Sequence, residues 1–343
     1  LLIQLYLILI ISYFVMHTNE IDRKLSIAPM MKHTDKHFRY FMRLLSAHAV
    51  LYTEMITTGA LIHGERKRFL NFNEIEHPLA IQLGGNNPND LALCAKIAED
   101  EGYDEINLNI GCPSVRVQNG RFGACLMSDT ELVSDCVNRI QTTVKIPITI
   151  KTRIGIDDQD SYSFLENFVK SVSEAGCNTF IIHARKAILS GLSPKKNREI
   201  PPLNYERVYN IKRRFPSLNI SINGGFIDIA QIKSQLEYVD GVMVGRAAYQ
   251  NPFMLIEADK VIYGDDSSSL TREEILSKFK DYAVEQTNHG FNIKSLTRHV
   301  IGLYQGQPGA RNYRRMLSDP ISEGTNTTRF LDRIIQSVSE TYT

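Results

Sequence analysis

Between residues 25 and 259 the sequence alternates eight times between a short apolar run of β-type composition and a helical pattern. The runs cover residues 25–29, 51–55, 79–83, 105–110, 146–151, 179–183, 219–222 and 241–244. Several are apolar throughout, as strands covered on both faces are. Residues 89–101 carry Leu91, Ala95 and Ala98 on one helical face after Pro88, and residues 129–142 open on Asp129, Thr130 and Glu131, suited to a helix N-terminus. Residues 161–175 end at Gly176, where a C-cap glycine belongs. Eight β/α units close into a (β/α)8 TIM barrel, whereas a doubly wound sheet usually stops at five or six strands. After about residue 270 the pattern changes: Thr271 stands as an N-cap with Glu274 in the capping-box position, and no strand follows. The expected architecture is α/β, with an apolar extension over residues 1–20, a barrel over 21–265 and a small helical domain over 270–343.

Five cysteines, Cys94, Cys112, Cys125, Cys136 and Cys177, form neither a CxxC pair nor a cluster with histidine. A disulfide framework and a metal site are therefore not expected, and a reducing, cytoplasmic setting is. Residues 1–15 are almost wholly apolar, yet as a helix they would reach only about 22 Å against a hydrocarbon core of roughly 30 Å. The expectation is translated upstream sequence with a start at Met16 and no stable membrane association. An anchor or an organellar targeting segment is the alternative.

Barrel active sites form where strands end, so the residues closing each run are the ones to read. They are Pro29 and Met30, Gln82, Asn107 through Pro113, Lys151 to Arg153, His183 to Arg185, Asn223-Gly224-Gly225 and Gly245-Arg246. Loops after strands seven and eight are the usual phosphate site of a barrel. Bare glycine amides approach an anion there, and Arg246 can fork onto it. One phosphate site without a GxGxxG motif indicates a mononucleotide such as FMN. Lys151 and Gln82 would then face the ring edge, the lysine near N1 and O2 of a reduced, anionic flavin. Cys112 sits in a polar, turn-rich setting unlike that of a core cysteine, and is read as a functional thiol, nucleophile or general acid.

Residues 107–125, Asn107 to Pro113 followed by SVRVQNGRFGAC, resemble the signature of the tRNA-dihydrouridine synthases. His183-Ala184-Arg185-Lys186-Ala187, the segment 191–198 and the tail segment 302–315 resemble the A-type branch of that family. The resemblance runs from about residue 26 to about 318. It implies FMN held by Pro29, Met30, Met31, Gln82, Lys151, His183, Asn223, Gly224, Gly225, Gly245 and Arg246. It also implies NADPH (or NADH) as hydride donor, hydride transfer to C6 of a D-loop uridine at position 20 or 20a, and protonation of C5 by Cys112. Asn109, Lys195, Lys196, Arg198, Arg311 and Arg314 match tRNA-contacting positions, and a monomer is expected. Departures are the apolar start and an acidic, serine-rich insert at residues 264–269.

The net charge of +1 offers no bulk attraction to RNA, so contacts must be local. Residues 183–215 hold nine Lys or Arg against two acidic residues, and residues 294–315 hold five and none. A groove between barrel and tail would track a phosphate backbone toward a flipped-out base. Two other readings share many of these residues: a barrel flavoenzyme acting on a free pyrimidine or other small molecule, and a non-catalytic tRNA-binding protein.

Overall fold

The computed structural model describes residues 21–267, 270–319 and 326–342. The expected N-terminal extension therefore lies outside the described residues. Eight strands form a closed, all-parallel barrel. They are β1 (Leu25–Ile27), β2 (Val50–Thr57), β3 (Leu79–Gly84), β4 (Glu105–Asn109), β5 (Ile148–Arg153), β6 (Thr179–His183), β7 (Asn219–Asn223) and β8 (Gly241–Val244). Strand β8 pairs back onto β1 through Ser26 and Met243.

Where strand bounds differ from the apolar runs, backbone chemistry explains it. β5 starts at Ile148 because Pro147 has no N–H for the ladder. It continues to Arg153 because Thr152 and Arg153 still pair with Ile182 and His183. The helices begin and end where their caps say. Asp129 accepts the N–H of Leu132, Ser161 that of Phe164, and Thr271 and Glu274 form a reciprocal capping box. Gly176, after the helix Tyr162–Glu174, has φ +107°, a value that suits glycine.

Two cores result. The larger lies between barrel wall and helices, with Ile81, Leu83, Ile106, Leu108, Ile150 and Ile182 on its sheet side. The smaller fills part of the lumen with Ala28, Val50, Tyr52, Ala80, Ile181 and Met243. Residues two apart on a strand share a face. Outward Ile106 and Leu108 therefore leave Glu105, Asn107 and Asn109 to line the lumen on β4.

Helices Arg272–Asn288, Ile293–Thr297, Ala310–Ser318 and Thr327–Tyr342 make up the tail. It fastens to the barrel beside the mouth. Tyr282 stacks on Tyr40 at 3.8 Å between centroids and its hydroxyl lies 2.7 Å from His37 Nδ1. Asp35 binds Arg298 and, at 3.0 Å, His299. Burial alone would raise the Asp35 pKa, but the His299 contact, the Phe38 N–H and nearby His37 outweigh it and hold the carboxyl well below its usual range. Among the described residues no helix is long and apolar enough to cross a membrane.

Candidate active site

The strand ends converge at one mouth. At β4, Asn109 Oδ1 accepts the N–H groups of Gly111 at 3.2 Å and Cys112 at 2.9 Å, closing a tight turn that holds the thiol at the rim. The Cys112 carbonyl accepts the N–H of Ala124 at 3.0 Å, tying down the far side of the same loop. Cys112 Sγ lies 3.5 Å from Ser114 Oγ. The Cys112 side chain is half-buried.

The other cysteines sit elsewhere. Cys94 and Cys136 pack in helices, Cys177 precedes β6 at the closed end of the barrel, and burial pushes all three thiols up to about 12. Cys125 donates to the carbonyl of Phe122 at 3.2 Å, and burial raises it too.

Lys151 Nζ donates to Asn223 Oδ1 at 3.1 Å, and Asn223 Nδ2 donates to the Met243 carbonyl at 2.7 Å. Burial, then the neighbouring Arg153 guanidinium, push Lys151 down to about 7. Burial and the same two cations keep His183 far below its usual value, so its ring is neutral at pH 7. Gly224 and Gly225 have φ of +138° and +82°. A Cβ on Gly224 would lie 2.7 Å from Leu203 and 3.3 Å from His183. The turn thus brings bare backbone against the mouth, a cradle that suits a phosphate. Gly245 and Arg246 face it from β8. Arg246 reaches Glu199 at 3.3 Å and the Arg198 carbonyl at 3.3 Å, which brings the β6 loop onto the same corner. Pro29 and Met30 are half-buried, Met31 is exposed, and Gln82 is 1% exposed inside the lumen. Lys151, His183, Asn223, Gly224, Gly225, Gly245 and Arg246 lie at or just past the C-terminal ends of their strands, and the glycine cradle with its cations suits a flavin phosphate.

Of the residues expected to touch RNA, Lys195, Lys196 and Arg198 lie exposed on the β6 loop, and Arg311 and Arg314 lie on the tail helix Ala310–Ser318. Arg314 donates to Gln305 Oε1 at 3.2 Å. His33 lies in the β1 loop. Burial lowers its pKa first, then Arg298 and His299 of the tail, then Arg198 of the β6 loop.

Several contributors carry no motif of their own. Arg153, 4% exposed, donates to the carbonyls of Gly111 at 2.8 Å, Lys186 at 2.9 Å and Asn197 at 3.3 Å, so one guanidinium ties the Cys112 turn to the β6 loop. Asn197 is fully buried and braces that loop through Ile188. The only advance signal for Arg153 is its place two residues beyond Lys151. Asn197 has none outside the 191–198 segment.

Residues 26–339 match the family model described as dihydrouridine synthase (Dus). The chain belongs to the dihydrouridine synthase family. It is 57% identical over 302 residues to the tRNA-dihydrouridine(20/20a) synthase of Shewanella oneidensis, covering 88% of this chain and 90% of that one. It is 56% identical to the Vibrio cholerae protein of the same name, covering 86% of this chain and 90% of that one. The Escherichia coli K12 protein is 53% identical over 318 residues, 92% of each chain. A solved 2-naphthoyl-CoA reductase complex is similar in fold alone, with a TM-score of 0.53 at 9% identity over 74% of this chain and 51% of that one. As a member of this family the chain is a flavin-dependent oxidoreductase that acts on a CH–CH bond.

Proposed function

We propose that this protein binds FMN at the barrel mouth and, with NADPH as reductant, reduces D-loop uridine 20 or 20a of tRNA to 5,6-dihydrouridine. The observation that carries the reading is the placement of Cys112 on the β4 turn, opposite the glycine cradle of β7 and β8 and beside Lys151. Pro29, Met30, Met31, Gln82 and His183 would line the ring. Asn223, Gly224, Gly225, Gly245 and Arg246 would hold the phosphate end, and Lys151 the electron-rich edge. When bound, the flavin supplies the hydride for C6 of the uracil.

This chain's residues do the rest. Cys112 gives its proton to C5, and solvent re-protonates the thiolate left behind. Asn109 at the turn, Lys195, Lys196 and Arg198 on the β6 loop, and Arg311 and Arg314 on the tail would bind the phosphate backbone of tRNA and bring a flipped base to the thiol. This assigns residues 21–265 to catalysis and 270–343 to tRNA binding, in a monomer that needs no metal and works in the cytoplasm. Unmodified tRNA incubated with the protein, FMN and NADPH should gain the mass of two hydrogens at a D-loop uridine. A free uridine product with unmodified tRNA would identify the small-molecule reductase instead.

A further inference from the structure

Beneath the mouth, a single chain of hydrogen bonds runs the depth of the barrel. Glu105, fully buried at the closed end, is paired with Arg23 at 2.6 Å and also accepts from Tyr52 at 2.7 Å and Thr149 at 2.6 Å. A carboxylate only accepts, so the one Thr149 hydroxyl proton is committed to it. Thr149 Oγ1 must then accept from Asn107 Nδ2, at 2.8 Å. With its nitrogen pointed down, Asn107 offers Oδ1 to Gln82 Nε2 at 2.7 Å. That leaves Gln82 Oε1 to accept from Asn109 Nδ2 at 2.8 Å. Asn109 Oδ1 is then the atom facing the N–H groups of Gly111 and Cys112.

Each orientation is forced by the one below it. Reversing the chain would set an Asn109 amino group against the Cys112 N–H, two donors face to face, and the turn could not close. Glu105, Asn107, Thr149 and Gln82 are at most 1% exposed, so water does not supply an alternative.

We propose that Glu105, Thr149 and Asn107 are positioning residues for the reduction: from the closed end of the barrel they set the polarity of Gln82 and Asn109, and through them hold the Cys112 turn in its reactive shape. This rests on the reading of Cys112 as proton donor. Thr149→Val keeps the shape of the side chain and removes the link, and Thr149→Ser restores the hydroxyl. Single-turnover reduction of tRNA should slow by about tenfold to a hundredfold in Thr149→Val, the scale of a small misplacement of a reacting group. Flavin content should stay near wild type, because the β7 and β8 cradle is untouched. Alkylation of Cys112 by iodoacetamide should change in rate as the turn loosens, and Thr149→Ser should recover both.

The proposal is overturned if Thr149→Val reduces tRNA and alkylates within about twofold of wild type, or if Thr149→Ser is as impaired as Thr149→Val. Cys112→Ala in the same assay separates the two readings. An inactive Cys112→Ala beside an unaffected Thr149→Val defeats the relay alone. An active Cys112→Ala defeats the role on which it rests. Should Thr149→Val not fold, Asn107→Ala cuts the chain one link higher and the same readouts decide.

Discussion

Asn109 Oδ1 accepts the backbone N–H of Cys112 at 2.9 Å while Asn109 Nδ2 donates to Gln82 at 2.8 Å, so one carboxamide links the thiol-bearing turn to the lumen. Asn109→Ala should therefore impair the chemical step more than tRNA binding. The expected result is a fall in single-turnover rate of about tenfold or more with tRNA affinity changed far less. A loss confined to affinity would make Asn109 a tRNA contact only.

Cys112→Ala should retain FMN and oxidise NADPH, yet form dihydrouridine roughly two or more orders of magnitude more slowly, the usual scale for general acid catalysis. Cys125→Ala, whose thiol already donates to the Phe122 carbonyl, should remain active. The reverse pattern, measured as dihydrouridine formed per enzyme in one turnover, would exchange their roles.

Burial brings Lys151 down to about 7, so above that pH it is neutral until a neighbouring negative charge returns the proton. Reduction of bound FMN to its anionic form should do so. Above pH 7 the wild-type midpoint potential should fall by about 59 mV per pH unit, two protons for two electrons, and by about 30 mV in Lys151→Met, where one proton is lost from the balance. The potential of Lys151→Met should also be lower. Equal slopes in a spectroelectrochemical titration would remove Lys151 from the flavin edge.

Arg311 and Arg314 lie on the tail helix Ala310–Ser318. Arg311→Ala and Arg314→Ala should each flatten the slope of log affinity for tRNA against log salt by about 0.7 to 0.9. The rate of flavin reduction by NADPH should not change. A parallel fall in that rate would contradict the division of labour between barrel and tail.

Glu105→Ala leaves Arg23 buried at 8% exposure and strips Tyr52 and Thr149 of their common acceptor. Removing one member of a buried ion pair costs about 3–5 kcal/mol. Denaturant unfolding of Glu105→Ala should show a loss of that size with an unchanged m-value, and a loss under about 1 kcal/mol would mean that Arg23 finds water.

The barrel and its mouth were legible in the sequence because strands covered on both faces are apolar almost throughout, and because polar residues at the C-terminal end of each strand have nowhere to go but the mouth. The polar lumen was not. Glu105 opens an apolar run and looks like an imperfection in it, Asn107 reads only as a strand-end residue, and Thr149 looks like ordinary β-branched filling. Their partners lie 25, 42, 44, 53 and 82 residues away. Parallel register alone sets Gln82 beside Asn107 and Asn107 beside Thr149. The tail latch, Asp35 on Arg298 and His299, spans a still greater separation. Strand identity is a local property, decided by period and composition. Which lumen side chains meet is decided only when the ladder closes, because a shift of one residue would turn every one of them to the other face.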